Sequence, residues 1–498
     1  MTLTVKNLII GAGPAGIQMG SLFQDSQDYI IVDKSSEPCA FFHEFPRQRR
    51  FISINKSRHL RYDWNSFLGP DGADVPVFRD YSEKLYPDTD SYIEYVRDFC
   101  AHRKLKLRFN FEVKSIEKIG PKHFDINGGE ITAERVFFGT GVVPKKPPVI
   151  ETPPDVKIFT YANMPLEPAV YRDKIVHIVG MGNAAFETAD WLAPYTDVTE
   201  IWGNERNAWK THYPGHARSI NFTSVDSYYL KGRTVFHFGN SEESFFDTVK
   251  FRLFKNVMKE LGKEVAKRTV IIWCVGFEFN STLVKDLVKV DKFPILTANF
   301  ESTICPDLFF IGSATQHHDY KKGTSAFIHG FRYNCEYLYK YLTNTITCYV
   351  IKETDQLVGK IFDQLNNSSA LFHRFDQFCD LIGLDDEKAY YIPEIPILAV
   401  EQFLRPEWTK YFTIKLGYTR EFADTFQQVI NNHPRAAHKS RFIHPIIQFN
   451  ALTFHIPEEA INEFNDPNVH IYPMQLYIGH ILGTYSVDEV NQLINEID

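Results

Sequence analysis

The segment KNLIIGAGPAGIQMGSLFQDSQDYIIVDK, residues 6–34, decides the fold of this chain. An apolar strand leads into a turn that holds Gly11, Gly13 and Gly16, and a helix and a second strand ending at Asp33 follow. In such a βαβ pattern the first glycine permits a tight turn, the second lets a pyrophosphate approach the backbone, and the third lets helix and strand pack closely. The helix N-terminus offers amides to phosphate, and the acid can accept hydrogen bonds from ribose. The segment therefore predicts a dinucleotide-binding unit.

A second copy of the pattern is DKIVHIVGMGNAAFETADWLAPYTDVTEIWGNERN, residues 173–207. Gly180, Gly182 and Ala185 repeat the spacing of the first copy, and alanine is an accepted variant of the third glycine. The chain is therefore expected to bind two nucleotides.

The two copies differ at the end of the second strand. The second copy has Trp202 and Gly203 where an acid would stand, and Arg206 follows closely. The missing acid and the nearby arginine favour the 2′-phosphate of NADP over the bare ribose of NAD. The alternative is that Arg206 only faces solvent.

The length and two further strands that end at glycine indicate how these units are arranged. A chain of 498 residues is expected to form two or three domains. The strands in ERVFFGTGVVPKKPP and RTVIIWCVGFEFN would carry the chain out of one nucleotide unit and back from the other, with KKPPVIETPPDV as the hinge. We expect an α/β fold with two Rossmann-like dinucleotide-binding domains, the second inserted in the first.

The predicted boundaries follow from this arrangement. The larger domain takes residues 1–148 and 270–345, and the smaller takes residues 149–269. Residues 346–498 form a C-terminal extension of unknown role, predicted as mostly helical because LDDEKAYYIPEIP and AVEQFLRPEWTKYF read as short helices that stop at proline.

Composition narrows the class of protein. The chain has 54 basic and 62 acidic residues, a net charge of -8, and no long run of one sign, which argues against nucleic acid as a main partner. The seven cysteines form no CxxC pair, as expected for reduced thiols. No run of eighteen apolar residues predicts a transmembrane segment, and the start MTLTVKNLII lacks the pattern of a signal peptide. We therefore expect a cytoplasmic protein.

These motifs resemble those of the two-dinucleotide-domain flavoproteins, specifically the flavin-containing monooxygenase-like group. Within that group, PRQRRFISINK, YDWNSFL and FIHGFRYN are similar to the FAD-dependent oxidoreductase domain-containing proteins of the type of the ER flavoprotein associated with degradation. The likeness covers residues 1–345 best. The chain ends in LINEID rather than in a KDEL-like signal, so we do not infer a role in the ER from this resemblance.

The resemblance implies FAD at the first glycine motif and NADPH at the second. The residues expected to bind FAD are Gly11, Gly13, Pro14, Ala15, Gly16, Asp33, Lys34, Thr140, Gly141, Gly312 and Ser325. Those expected to bind NADPH are Gly180, Gly182, Asn183, Ala184, Ala185 and Arg206. One departure is Ser313, which follows Gly312 at the position where related flavoproteins have an aspartate beneath the FAD linker. A helix from about Thr324 would point its N-terminus at the flavin.

The stretch FISINKSRHLRYDWNSF, residues 51–67, is expected to supply catalytic residues. In flavin monooxygenases a segment after the first βαβ unit places an asparagine beside the reactive edge of the flavin, and Asn55 matches it. Trp64 could keep the pocket dry, and Asn65 could orient the substrate or cofactor. The alternative is that these residues serve as turn and capping residues of a surface loop.

The histidines near the end of the first domain suggest proton carriers rather than a metal site. His317, His318 and His329 are candidates for this role. The adjacent pair His317 and His318, followed by Asp319, lacks the further ligands that a metal ion needs, so no metal is predicted.

The resemblance implies an FAD-dependent, NADPH-using monooxygenase. Such an enzyme forms a C4a-(hydro)peroxyflavin and oxygenates a small substrate with O2, and amine nitrogen is the favoured position here. Baeyer-Villiger or carrier-bound acyl oxygenation, an NADPH oxidase and a non-oxygenating FAD protein stay open. The group's FxGxxxHxxx(F/Y)P sequence has only a faint echo in WKTHYPG. A disulfide reductase is disfavoured because no CxxC or CxxxxC pair exists. The sequence leaves a homo-oligomer open.

Overall fold

A computed structural model describes residues 2–51, 55, 61–70, 74–205, 219–240, 243–418, 433–440, 442–458 and 463–497. Within these ranges the strands form four sheets, of seven, five, two and six strands. The first two are built on parallel pairs, as the two glycine motifs predict.

The seven-stranded sheet carries the first glycine motif. Its first elements in chain order are β1 (Leu3–Ile10), α1 (Pro14–Phe23), β2 (Tyr29–Val32), α2 (Ala40–Glu44), α3 (Thr89–His102), β3 (Leu107–Arg108), β4 (Ile116–Gly120), β5 (His123–Ile126) and β6 (Ile131–Phe138). Strand β1 lies between β2 and β6, parallel to both. Leu8, Ile9 and Ile10 are buried, as a central strand covered on both faces requires.

The five-stranded sheet carries the second glycine motif. After the linking strand β7 (Val143–Pro144), its elements are β8 (Lys157–Thr160), β9 (Ile175–Val179), α4 (Asn183–Leu192), β10 (Val198–Asn204), α5 (Ser219–Tyr229), β11 (Thr234–Gly239), α6 (Val249–Lys259), α7 (Lys263–Arg268) and β12 (Thr269–Trp273). The strand order is β11-β10-β9-β12-β8, all parallel. The predicted boundary after residue 269 falls inside β12, so we propose that this unit extends to Trp273.

The chain then returns to the first sheet. Strand β13 (Phe277–Glu278) pairs with β7, and β14 (Leu308–Phe310) adds to β6 in parallel. Helix α8 (Ile328–Thr343) follows, so the helix expected from about Thr324 begins four residues later. The delay has a local cause: Thr324 and Ser325 already bond to other segments, through a side-chain hydroxyl and a backbone amide respectively.

In its described residues the C-terminal extension contains a six-stranded sheet and is not mostly helical, so that part of the prediction is wrong. Its elements are β15 (Tyr349–Ile351), α9 (Thr354–Asn367), α10 (Ser369–His373), β16 (Phe378–Leu384), β17 (Ala389–Pro396), β18 (Lys410–Gly417), β19 (His444–Phe449), β20 (Leu452–His455), α11 (Tyr472–Leu482) and α12 (Val487–Asn495). The six strands form one antiparallel sheet in the order β15-β17-β16-β18-β19-β20. Of the two segments read as proline-stopped helices, AVEQFLRPEWTKYF runs from a 3-10 helix (Ile397–Phe403) into the start of β18, and LDDEKAYYIPEIP contains the whole of β17. Pro393 fits there because it lies at a shift in the strand register, where a ladder hydrogen bond can be absent.

The extension shares its core with the first unit. Phe23 and Tyr29 of the first unit and Phe378 and Tyr391 of the extension belong to one contiguous cluster of buried side chains. The faces of the five-stranded sheet are covered by two separate clusters. The extension is therefore packed against the first unit as part of the same core.

Candidate functional site

The first glycine turn is shaped to hold a phosphate. Gly11 has a φ of +108°, and a Cβ there would lie 2.5 Å from the carbonyl oxygen of Gly139, so only glycine fits. At Gly13 a Cβ would meet no described atom within 4 Å. Gly13 is also the N-cap of α1, and because it has no side chain, no capping group of its own occupies the first amides of the helix. Backbone and helix end are thus both open to an anionic group.

Asp33 lies at the carboxyl end of β2, beside this turn. Its Oδ2 accepts a hydrogen bond from the amide of Ala12 at 2.7 Å, and its Oδ1 accepts one from the amide of Ser35 at 2.8 Å. Each carboxylate oxygen can accept a further bond. The carboxylate is therefore held in place with acceptor capacity left for ribose hydroxyls.

The second turn repeats this geometry. Gly180 has a φ of +127°, and a Cβ there would lie 2.1 Å from the carbonyl oxygen of Cys274. Around Gly182 no described atom lies within 4 Å of an added Cβ, and this glycine is the N-cap of α4. The second turn can therefore cradle a second phosphate in the same way.

One cavity of about 1500 Å³ joins the two turns. Single small-molecule sites span roughly 300 to 1,000 Å³, so this cavity has room for more than one ligand. The predicted residues that line it are Gly11, Gly13, Pro14, Ala15, Asp33, Lys34, Trp64, Asn65, Thr140, Gly141, Gly180, Gly182, Asn183, Ala184 and Gly312. Tertiary folding thus brings residues from distant parts of the chain to one chamber.

Other predicted residues lie behind this lining. A Cβ on Gly16 would lie 1.9 Å from the carbonyl oxygen of Gly11, so this glycine serves helix packing. Ala185 is fully buried in the core of the second unit. Ser325 is also buried and takes a hydrogen bond from Asn334. Arg206 lies outside the described residues.

Asn55 is set back from the cavity, while Trp64 and Asn65 line it. The Asn55 side-chain amide donates to the carbonyl of Ser82 at 3.0 Å. Its Oδ1 is 3.5 Å from Nδ2 of Asn65, which donates to it. Asn55 can therefore position Asn65, and Asn65 is the amide that faces the chamber.

Trp64 packs into an aromatic and imidazole cluster. Its ring centroid lies 4.1 Å from that of His329 and 5.4 Å from that of His373. His329 lines the cavity and also stacks on Phe327. His329 is therefore the candidate proton carrier that the fold brings to the chamber.

The other two histidines lie elsewhere. His317 is exposed, and His318 packs on the Phe300 ring with centroids 5.3 Å apart. Burial lowers the pKa of His318 to about 4. Neither residue is among the described residues that line the cavity.

Sequence reasoning missed Glu187, which lines the chamber on α4. Its side chain is 7% exposed, Oε2 accepts a hydrogen bond from the Tyr161 hydroxyl at 2.8 Å, and Oε1 accepts one from the Gln48 amide at 3.4 Å. Burial raises the pKa of Glu187 to about 7, so the group can hold or release a proton near neutral pH. The signal in the sequence was an acid seven residues after Gly180, inside an otherwise apolar helix face.

A match to a family model identifies the family of this chain. Residues 8–312 match the model of the pyridine nucleotide-disulphide oxidoreductases. The chain belongs to this family. Membership confirms the predicted oxidoreductase enzyme with two Rossmann-like units and supports FAD as its cofactor, for which the first turn has the required open backbone and fixed acid.

Alignments with two relatives cover nearly the whole of this oxidoreductase. It is 27% identical to the FAD-dependent oxidoreductase domain-containing protein 2 of Mus musculus, with 96% of this chain and 84% of that protein covered. The protein of the same name from Danio rerio is 26% identical, with 97% and 84% covered. The alignments therefore include the C-terminal extension.

Among solved structures, a flavin monooxygenase from Stenotrophomonas maltophilia aligns with a TM-score of 0.50 and 16% identity, covering 69% of this chain and 99% of that one. At this identity the match concerns the fold alone. It is consistent with the two nucleotide units and leaves out nearly a third of the chain.

The described part of the chain has no helix that is both long and apolar enough to cross a membrane. The cytoplasmic location stays a prediction.

Proposed function

We propose that this protein is an FAD-dependent, NADPH-using monooxygenase that uses O2 to oxygenate a small substrate, with amine nitrogen as the favoured position. FAD is assigned to the first glycine turn and NADPH to the second. When bound, FAD takes a hydride from NADPH and passes electrons to oxygen. The residues of the chain bind, orient and enclose these groups.

One observation carries the proposal: a single cavity runs from the first glycine turn to the second. Hydride transfer requires the two rings to meet within one chamber, in close contact and shielded from solvent. Because Gly13 and Gly182 both open on this chamber, two dinucleotides bound by their phosphates would extend into the same space. The continuity of the cavity supports transfer between them.

The middle of the chamber has an aromatic wall. Phe45 stacks on Tyr161 with centroids 5.6 Å apart and meets Phe277 edge to face at 5.2 Å. Trp64 and Phe51 line the same cavity. Large rings exclude water, which favours reactions whose oxygen-derived intermediates would otherwise be lost to solvent. This wall supports oxygenation and the binding of an apolar substrate.

The cysteines argue against reduction of a disulfide within this chamber. The thiol among the described residues that line the cavity is Cys274, and burial raises its pKa well above the usual value. A disulfide reductase needs a reactive thiolate and a second cysteine within reach. Among the described residues, all seven cysteines are free and no second one lines the chamber. The cysteines therefore support the proposed oxygenation over reduction of a disulfide in this chamber.

The first experiment follows NADPH, O2 and product together. With purified protein, we expect NADPH oxidation and O2 uptake in equal amounts, and an amine N-oxide or hydroxylamine when amines are supplied. Hydrogen peroxide formed in step with NADPH, with no product from any amine, sulfide or ketone, would identify an NADPH oxidase instead. Oxygenated ketones would identify Baeyer-Villiger chemistry. Absence of flavin reduction by NADPH would point to a non-oxygenating FAD protein.

A pair of variants tests which asparagine acts in the chamber. Asn65→Ala should keep FAD and its reduction but lower product per NADPH by about tenfold, because an amide hydrogen bond in a dry site is worth roughly 1 to 3 kcal/mol. Asn55→Ala should lower coupling by only about threefold, since Asn55 acts through Asn65. Coupling is measured as product against NADPH consumed. If Asn65→Ala left coupling unchanged, Asn65 would have no part in oxygenation.

A further inference from the structure

The C-terminal extension, residues 346–498, contacts a segment that lines the cofactor chamber. Gly312, Lys321, Gly323 and the residues 326–329 all line the cavity on the flavin side. Helix α10 of the extension ends at His373, directly behind this segment. The contacts between the two are polar and buried.

The centre of the contact is an ion pair across the two parts of the chain. Arg374 Nη1 donates to Oδ2 of Asp319 at 2.8 Å, and the two side chains are 2% and 1% exposed. The same guanidinium nitrogen donates to Oγ1 of Thr324 at 3.0 Å. Removing one member of such a pair leaves a buried charge uncompensated, which is strongly destabilising locally.

Asp319 in turn shapes the cavity-lining loop. Its Oδ2 accepts the amide hydrogen of Ser325 at 2.9 Å, and its backbone carbonyl accepts those of Lys322 and Gly323 at 2.7 and 2.9 Å. A Cβ on Gly323 would lie 2.5 Å from Oδ2, so the loop folds tightly over the carboxylate. The position of this loop therefore depends on the orientation of Asp319, which Arg374 fixes.

His373 adds further contacts between the extension and this segment. Its carbonyl oxygen accepts a hydrogen bond from the Thr324 hydroxyl at 2.6 Å. Its ring lies against the two cavity-lining rings, with centroids 5.4 Å from Trp64 and 5.5 Å from His329. The extension thus supports both the loop and the aromatic wall, although neither His373 nor Arg374 lines the chamber.

We propose that the C-terminal extension completes the flavin site, and that Arg374 and His373 are positioning residues that hold the loop at residues 319–327 and the start of α8 in the shape that binds FAD. The two residues act through Asp319, Thr324 and the wall rings. The proposal concerns FAD binding and does not depend on oxygenation, so failure of the proposed reaction would leave it standing.

The test measures FAD affinity of the full-length apoprotein by flavin fluorescence. Arg374→Met should raise the FAD dissociation constant by at least about tenfold, since loss of one member of a buried ion pair costs well over 1.4 kcal/mol. Arg374→Lys, which keeps the charge, should recover part of the affinity. The matched control is Lys415→Met, which removes the cation of another ion pair in the extension, formed with Asp376 at 2.9 Å and including neither Asp319 nor Thr324. It should leave the dissociation constant within about twofold.

A milder variant keeps the test decisive if Arg374→Met fails to fold. Thr324→Val keeps the side-chain shape and removes the hydrogen bonds to Arg374 and to the His373 carbonyl. It should weaken FAD binding by about three- to tenfold and alter the visible circular dichroism of bound FAD. Unchanged FAD affinity in folded Arg374→Met or in Thr324→Val would overturn the proposal. Equal weakening by Lys415→Met would also overturn it, because the effect would then be general destabilisation.

Discussion

The two glycine turns fold alike, but the equivalent residue in the helix that follows each turn has a different role. Seven residues after the first glycine, α1 has Gln18 and α4 has Glu187. Gln18 is fully buried, donates to the Leu68 carbonyl at 3.1 Å and accepts from the Leu68 amide at 2.7 Å. Glu187 accepts from the Tyr161 hydroxyl and the Gln48 amide. Each side chain thus bonds to the backbone of a loop from elsewhere in the chain, at Leu68 and at Gln48 respectively, but only the carboxyl of Glu187 in the second unit can titrate.

The turns also differ at the end of the second strand. Asp33 is fixed by two backbone amides, whereas Trp202 occupies the matching place twenty-two residues after Gly180. The Trp202 ring stacks on His237 with centroids 3.8 Å apart, and its Nε1 donates to Nδ1 of His177 at 3.3 Å. Trp202 is therefore packed in the core, and this position of the second turn offers no carboxylate to a ribose. Similar phosphate cradles can thus serve different nucleotides.

The largest effect is expected at the first cradle. Gly13→Ala should abolish FAD retention through desalting and raise the dissociation constant by at least about 100-fold, because the methyl group displaces a phosphate from charge-assisted amide bonds of roughly 1.5 to 3 kcal/mol each. The fold should survive, since the added Cβ meets no described atom within 4 Å. Flavin absorbance per protein is the measurement. Full FAD content in Gly13→Ala would place the flavin elsewhere.

The same change in the second cradle should separate the two cofactors. Gly182→Ala is expected to keep FAD but raise the KM for NADPH by roughly 10- to 100-fold, for the same reason. Reduction by dithionite should be unaffected, which serves as the control. Loss of FAD from Gly182→Ala, with NADPH kinetics unchanged, would reverse the assignment of the two turns.

The buried carboxyl group of Glu187 should make the free energy of unfolding depend on pH. Because burial raises the pKa of Glu187 from 4.5 to about 7, the folded protein keeps a proton that the unfolded chain has lost between those values. Stability from this group should therefore fall by about 2 kcal/mol as pH rises from 5 to 7. Glu187→Gln, which copies the first turn, should remove this slope in denaturant unfolding. Gln18→Glu should introduce one. An unchanged slope in Glu187→Gln would show that the carboxyl does not titrate there.

The smallest effect concerns the phosphate of NADPH. Arg206→Ala should raise the KM for NADPH by about tenfold, as expected for loss of one charge-assisted contact, while the KM for NADH changes little. Arg233→Ala, a change of an exposed arginine in the same unit, is the control. Equal effects on both nucleotides would mean that Arg206 does not read the 2′-phosphate.

Local sequence was sufficient for the nucleotide units because their chemistry lies in short stretches. Gly11 and Gly180 need positive φ, and Gly13 and Gly182 need open space, so the spacing alone predicted both turns. The extension was read wrongly because the buried run Phe378–Leu384 and the proline-containing β17 carry no clear periodicity. Its strands are defined by partners far along the chain.

The candidate site, too, has features that the sequence predicted and features that it could not predict. Trp64 and Asn65 were predicted from a motif and line the cavity, but the sequence could not show that Asn55 lies behind Asn65. Glu187 escaped notice because an acid on a helix is usually solvated, and only the packing of Tyr161 and the loop at Gln48 over it makes it a buried group.

By itself, the sequence predicted the two glycine turns, the fold of the family and the residues expected to contact phosphates. These features depend on backbone conformation within a few neighbouring residues. Tertiary structure decided the rest: the single cavity that joins the two turns, the burial of Glu187, and the buried ion pair of Arg374 with Asp319 behind the cavity-lining loop. Burial and pairing arise only when distant segments pack together, and desolvation then sets the energy of each polar group.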